Sequence, residues 1–211
     1  MVFLPLLLGL VAALIGVAPP GLLNMTVAKV SAVEGKVNAI FFSLGACLIV
    51  FFQTYLAVLG ANFLHQNPKI VIVLQEIGSL VFLGLTAYFF WSGKRKNKQQ
   101  AVVQIQNVTQ RFFSGMFLSA LNMLPIPYYV FLSLWFSSKG WFSFTLQQEN
   151  AFVFGAVLGS FLIFYLYLLF FKKKENEAPS FFASNGNYII GSVTGLVSLI
   201  TLFKLLKQYW N

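Results

Sequence analysis

The sequence predicts an all-α integral membrane protein of six transmembrane helices, built as two inverted three-helix repeats with proline-broken helices 1 and 4. Three observations predict it. Of 211 residues, 58% are hydrophobic and only 9% charged, which no ordinary soluble domain matches. The apolar residues fall in six blocks of roughly 17–25 residues, each long enough to cross a ~30 Å hydrocarbon core. Finally, the second half of the chain repeats residues of the first half in the same order.

The blocks lie near Val2–Asn24, Val37–Leu64, Ile70–Gly93, Phe112–Phe136, Ala151–Phe171 and Tyr188–Leu206. The first is uncharged from Val2 to Ala18, and Pro5 sits in its first turn, where a missing N–H does no harm. Ala18-Pro19-Pro20-Gly21 then interrupts it, with Asn24 three positions on. In hydrocarbon an unpaired carbonyl costs several kcal/mol, so such a break must line a cavity or be buried in protein. Leu22 to Lys36 reads as a short amphipathic helix with Leu23, Val27 and Val30 on one face, Lys29, Glu34 and Lys36 on the polar side, and a stop at Gly35. Block two carries Gly45-Ala46-Cys47 and then Gln53; block three opens after Asn67-Pro68 with Glu76 in its first turns. Block four holds Asn122 and a second interruption at Pro125-Ile126-Pro127. Gly155-x-x-x-Gly159 and Gly191-x-x-x-Gly195 give blocks five and six small surfaces for close helix contact. The organisation is therefore a first repeat over 1–93, a basic cytoplasmic loop over 94–111 and a second repeat over 112–211.

The duplication rests on ordered pairs: Gly9/Gly115, Pro19/Pro125, Phe42/Phe152, Gly45/Gly155, Ala46/Ala156, Leu48/Leu158, Tyr55/Tyr165 and Ile77-Gly78-Ser79/Ile190-Gly191-Ser192. An odd number of spans per copy turns the second copy upside down in the bilayer. Inverted repeats with matching broken helices point to a transporter whose site lies between the repeats.

The net charge of +9 does not indicate nucleic acid, because the basic residues flank the spans. Ten of the fourteen basic residues lie after blocks one, three and five, at Lys29, Lys36, Lys94, Arg95, Lys96, Lys98, Arg111, Lys172, Lys173 and Lys174. The positive-inside rule makes that side cytoplasmic and leaves both termini extracytoplasmic. The N-terminus lacks the basic region of a cleavable signal peptide. Cys47 is the single cysteine, so no intrachain disulfide forms, and His65 has no neighbours at metal spacing. With no nucleophile triad, phosphate-cradling loop or carboxylate pair, nothing supports an enzyme, a metal site or a cofactor.

At each break a new half-helix offers free N–H groups to an anion, and the preceding half-helix offers carbonyls to an ammonium. A zwitterion suits that arrangement. The candidate substrate-binding residues are Pro19, Pro20, Gly21, Asn24, Thr26, Asn122, Pro125, Pro127 and Tyr128. The plainer alternative is that the prolines only kink helices and Asn122 bonds neighbouring helices. Ion coupling would fall to Glu76, the intramembrane acid, and to Gln53, although a helix–helix hydrogen bond is the commoner job for such a glutamine.

These residues resemble the lysine exporter (LysE/RhtB-like) family of amino-acid efflux proteins. The family's first-span Pro-Gly-Pro is similar to Pro20-Gly21-Leu22, followed by Asn24 and Glu34-Gly35-Lys36. Gly45-Ala46, Gly78 with Phe82-Leu83, Gly93-Lys94 and Ser114-Gly115-Met116-Phe117 through Leu121-Asn122 match further family features. Leu22 replaces the second proline, Asn122 is followed by Met123 rather than proline, and the acid often seen in span two is absent. The resemblance implies the six-span fold and an export role; the expected activity is export of amino acids or related zwitterions across the plasma membrane, driven by the proton or the membrane potential because the sequence carries no nucleotide-binding segment. An ion channel or ion transporter on the same scaffold, and a non-transporting membrane subunit, are the alternatives. Its partners are a small-molecule substrate and the lipid bilayer, with no nucleic acid; a homodimer is one assembly it could form.

Overall fold

The structure, a computed structural model, describes residues 2–67, 70, 84, 86, 87, 91 and 106–170. Among the described residues there are six helices and no strand: α1 Phe3–Val17, α2 Leu22–Glu34, α3 Lys36–Gln66, α4 Val108–Leu121, α5 Pro125–Ser138 and α6 Leu146–Phe170. The chain divides into two compact units, Met1–His65 with Val103–Glu175, and Gln66–Val102 with Asn176–Asn211; the helices described here build the first. Most of the expected third span, the expected sixth span, Glu76 and most of the basic loop lie outside the described residues.

Two helices, α3 and α6, are long and apolar enough to cross a membrane unaided. The pairs α1–α2 and α4–α5 pass the same test together, bent by 79° and 64° at their breaks, which makes up to four spans. The first break follows from proline chemistry. Pro19 and Pro20 would have to donate to the Ile15 and Gly16 carbonyls, and neither has an N–H. Gly21 is extended, and α2 starts at Leu22. It stops at Gly35, whose φ of +94° side chains rarely tolerate, and α3 begins at once at Lys36.

The second break is displaced from the position expected at Pro125-Ile126-Pro127. The chain leaves α4 at Asn122, passes Met123 and Leu124, and the prolines open α5 from its N1 position. A proline costs nothing there, because the first N–H groups of a helix have no intrahelical partner. α4 itself begins with a capping box: Gln110 N–H donates to Asn107 Oδ1 (2.8 Å), and Asn107 N–H to Gln110 Oε1 (3.1 Å).

Four glycines fix the packing at two crossings. A Cβ on Gly9 would overlap the Phe152 carbonyl and sit 3.0 Å from Ala156 N, and one on Gly155 would overlap the Leu6 carbonyl and sit 3.0 Å from Leu10 N. At the other crossing Gly45 meets Phe112 and Met116, while Gly115 meets Phe42 and Ala46 in the same way. Residue numbers rise together along α1 with α6, where Gly155 meets Leu6 and Gly159 meets Leu10 and Ala13, and along α3 with α4, where Gly45 meets Phe112 and Gln53 meets Ser119, so each crossing is parallel. By contrast α3 and α6 are antiparallel, since Asn62 late in α3 bonds Glu149 early in α6 (3.1 Å). The positions paired by the sequence (Gly9 with Gly115, Phe42 with Phe152, Gly45 with Gly155, Ala46 with Ala156) thus occupy corresponding places at the two crossings.

Candidate functional site

At the first break the carbonyls of Val17, Ala18 and Pro19 are already held. Asn24, on the buried face of α2, donates its Nδ2 back to Val17 O (2.5 Å) and Pro19 O (2.9 Å). The carbonyl between them, Ala18 O, accepts from the Tyr167 hydroxyl of α6 at 2.9 Å. The second break uses the same device with a donor from another helix. Gln53, in the middle of α3, donates Nε2 to Ser119 O (3.1 Å) and Asn122 O (2.9 Å). These carbonyls were expected to receive a substrate ammonium; protein amides and a phenol occupy them instead.

Because each NH2 group is committed to a carbonyl pair, each amide oxygen is pinned the other way. Asn24 Oδ1 and Gln53 Oε1 are both buried without a hydrogen-bond partner, as are the hydroxyls of Thr54, Ser119 and Ser133. Buried helical hydroxyls elsewhere bond the carbonyl four residues back, as Ser43 does to Ala39 O and Ser160 to Ala156 O, both at 2.8 Å. Three of the unpartnered set lie together where α3 meets α4, since Gln53, next to Thr54, bonds the backbone of Ser119. A buried acceptor without a donor costs ~1–3 kcal/mol, so these oxygens suit a ligand or water that can donate.

The donors at the two breaks are not equivalent. Gly21 offers no capping side chain, so the first-turn N–H groups of Leu22, Leu23 and Asn24 lack a side-chain acceptor. At α5 the first turn has none to give: Pro125 and Pro127 lack the N–H, Ile126 N–H bonds Met123 O (3.3 Å), and Tyr128 N–H bonds Leu124 O (3.4 Å). Only the first break therefore keeps the anion-attracting end expected of both.

Of the remaining candidates, Pro19, Pro20 and Gly21 are exposed, and Thr26 is back-bonded to Leu22 O (2.7 Å) on the outer part of α2. Tyr128 reaches across to α1, where its hydroxyl donates to Ala12 O (2.8 Å) and its ring covers Gly16. Asn122 caps α4 with its backbone. Val17 and Leu23 at the first break and Leu118 one turn before the second pack on one apolar cluster, which brings the breaks to a common core.

Sequence reasoning missed Tyr167, Ser119 and two buried acids. Glu149, 4% exposed, accepts from Asn62. Glu34, expected on a polar helix face, is buried in an ion pair with Arg111 of α4. The available signal was an acid at the end of the short helix and a base at the start of block four, opposite charges beside apolar spans.

A family model for LysE type translocators matches residues 14–205, which takes in both breaks and all six helices except the start of α1. No curated protein and no solved structure matches the chain.

Proposed function

Since the chain belongs to the LysE type translocator family, a family of membrane transporters rather than enzymes, we propose that it exports amino acids or related zwitterions across the plasma membrane. Two inverted three-helix repeats, the reading favoured by the reciprocal glycine crossings, carry the substrate between their breaks. The observation that carries this proposal is the treatment of the two breaks. Interior amides hold the carbonyl pairs, which leaves Asn24 Oδ1 and Gln53 Oε1 as buried acceptors. The N-terminus of α2, which its N-cap Gly21 leaves without a side-chain cap, supplies the positive pole.

The substrate carboxylate then lies toward the Leu22–Asn24 N–H groups and the ammonium toward Gln53 Oε1 and Ser119. Helix dipoles act most strongly on charge within the first turn, and a site closed to water strengthens the effect. Pro19 and Pro20 maintain the break, and Tyr128 holds α5 against α1. No nucleotide-binding segment was found in the sequence, so the driving force is the proton or the membrane potential. The positive-inside bias supports extracytoplasmic termini.

Counterflow into proteoliposomes decides the matter. A panel of amino acids should include at least one that exchanges, and its decarboxylated amine and its N-acetyl derivative should each compete at least tenfold less well. Absence of counterflow for the whole panel, with folded protein, overturns the proposal.

A further inference from the structure

The buried Glu34–Arg111 pair is unlike the other charges described. Arg111 Nη2 bonds Glu34 Oε1, and Arg111 Nε donates to Glu34 Oε2 at 2.6 Å, a two-point contact that matches fork to carboxylate. Both side chains are almost wholly buried, at 7% and 1% exposure. Asn38, in the first turn of α3, donates to the same carboxylate (3.3 Å) and to the Gln106 carbonyl (3.1 Å). Ser114 holds the Gln106 side chain at 2.9 Å. The end of α2, the start of α3 and the start of α4 are thus tied at one point, next to the left-handed Gly35.

Burying two charges is a poor route to stability, because desolvation offsets most of the attraction; apolar residues of similar volume would often serve as well. A pair that can be exposed and hydrated in a second conformation escapes part of that cost. Gly35 is also the type of residue that absorbs a change in backbone angles. We propose that Glu34–Arg111 is a charge latch closing this end of the helix assembly, and that its opening swings the end of α2 away from α4. By charge bias this end faces the cytoplasm, so release would admit solute from inside. Its role in transport rests on the function proposed above; the closure itself does not.

The test therefore reads closure directly. In a Cys47→Ala background, Val30→Cys reports the buried face of α2, and Val153→Cys reports the α6 core; both native residues are fully buried. Labelling of purified protein by a water-soluble maleimide is measured in Glu34→Gln, in Arg111→Gln and in the reversed pair Glu34→Arg/Arg111→Glu. Each single change should raise the Val30→Cys rate at least tenfold and leave Val153→Cys unchanged, and the reversed pair should bring the rate back within threefold. Protection of Val30→Cys in both single variants overturns the latch, as does a parallel rise at Val153→Cys, which marks general loosening. Because the readout needs no substrate, a failed latch and a failed transport assay are distinguishable.

Discussion

Gly9→Ala gives the sharpest test of the helix packing. Its Cβ would overlap the Phe152 carbonyl oxygen and lie 2.9 Å from the carbonyl carbon, whereas carbon atoms prefer about 3.5–4.0 Å. The obstacle is backbone, so no rotamer relieves it, and α1 and α6 must part by about 1 Å along a crossing that also holds Gly155 and Gly159. Overpacking costs about 1–3 kcal/mol, and a backbone obstacle puts this change at the upper end. At about 2–4 °C per kcal/mol for a chain of this size, melting in detergent should fall by roughly 6–12 °C. Gly60→Ala is the control. It adds a methyl within α3 with nothing inside 4 Å, so helix propensity alone should make it neutral to about 1 kcal/mol stabilising. Reciprocity adds a second requirement. In Gly9→Ala/Gly155→Ala the helices are already parted, so the double loss should be clearly less than the sum, whereas Gly9→Ala/Gly45→Ala spans both crossings and should be additive. Equal melting for Gly9→Ala and Gly60→Ala, or full additivity within one crossing, would refute the reasoning.

Three further outcomes follow from the breaks. Gln53→Leu strands the Asn122 carbonyl, while Ser119 O keeps its bond from Asn122 N–H, and should cost about 1–3 kcal/mol in detergent melting, with counterflow lost; retention of both would mean the amide is not what holds the break. Tyr167→Phe keeps the ring and removes the hydroxyl that donates to the Ala18 carbonyl, so a loss of about 1 kcal/mol is expected by the same assay. Pro125→Ala should change melting by no more than about 0.5 kcal/mol, because N1 needs no N–H, and a large loss would argue that the proline shapes the break.

The first break was legible in the sequence because its cause is local: two adjacent prolines delete two donors wherever they stand in a helix. The second was legible as a region but misplaced by a few residues, since a proline can end a helix or begin one and the choice depends on what precedes it. Glycine pairs such as Gly9/Gly115 and Gly45/Gly155 marked small surfaces, yet not which helix each would meet.

The sequence by itself determined that this chain belongs in a bilayer, that its first helix breaks at Pro19-Pro20, and that its halves share a pattern. Those properties follow from composition, span length and the chemistry of single residue types. Only the tertiary structure decided who satisfies the broken helices. Gln53 reaches Ser119 from 66 positions away, and Tyr167 reaches Ala18 from 149. It also decided that the acid at Glu34 would be buried against Arg111 rather than solvated. The physical reason is that a freed carbonyl needs any donor, and apolar helices carry no periodic signal naming which donor will be brought to it. That choice is made by the close approach of backbones at the four glycines.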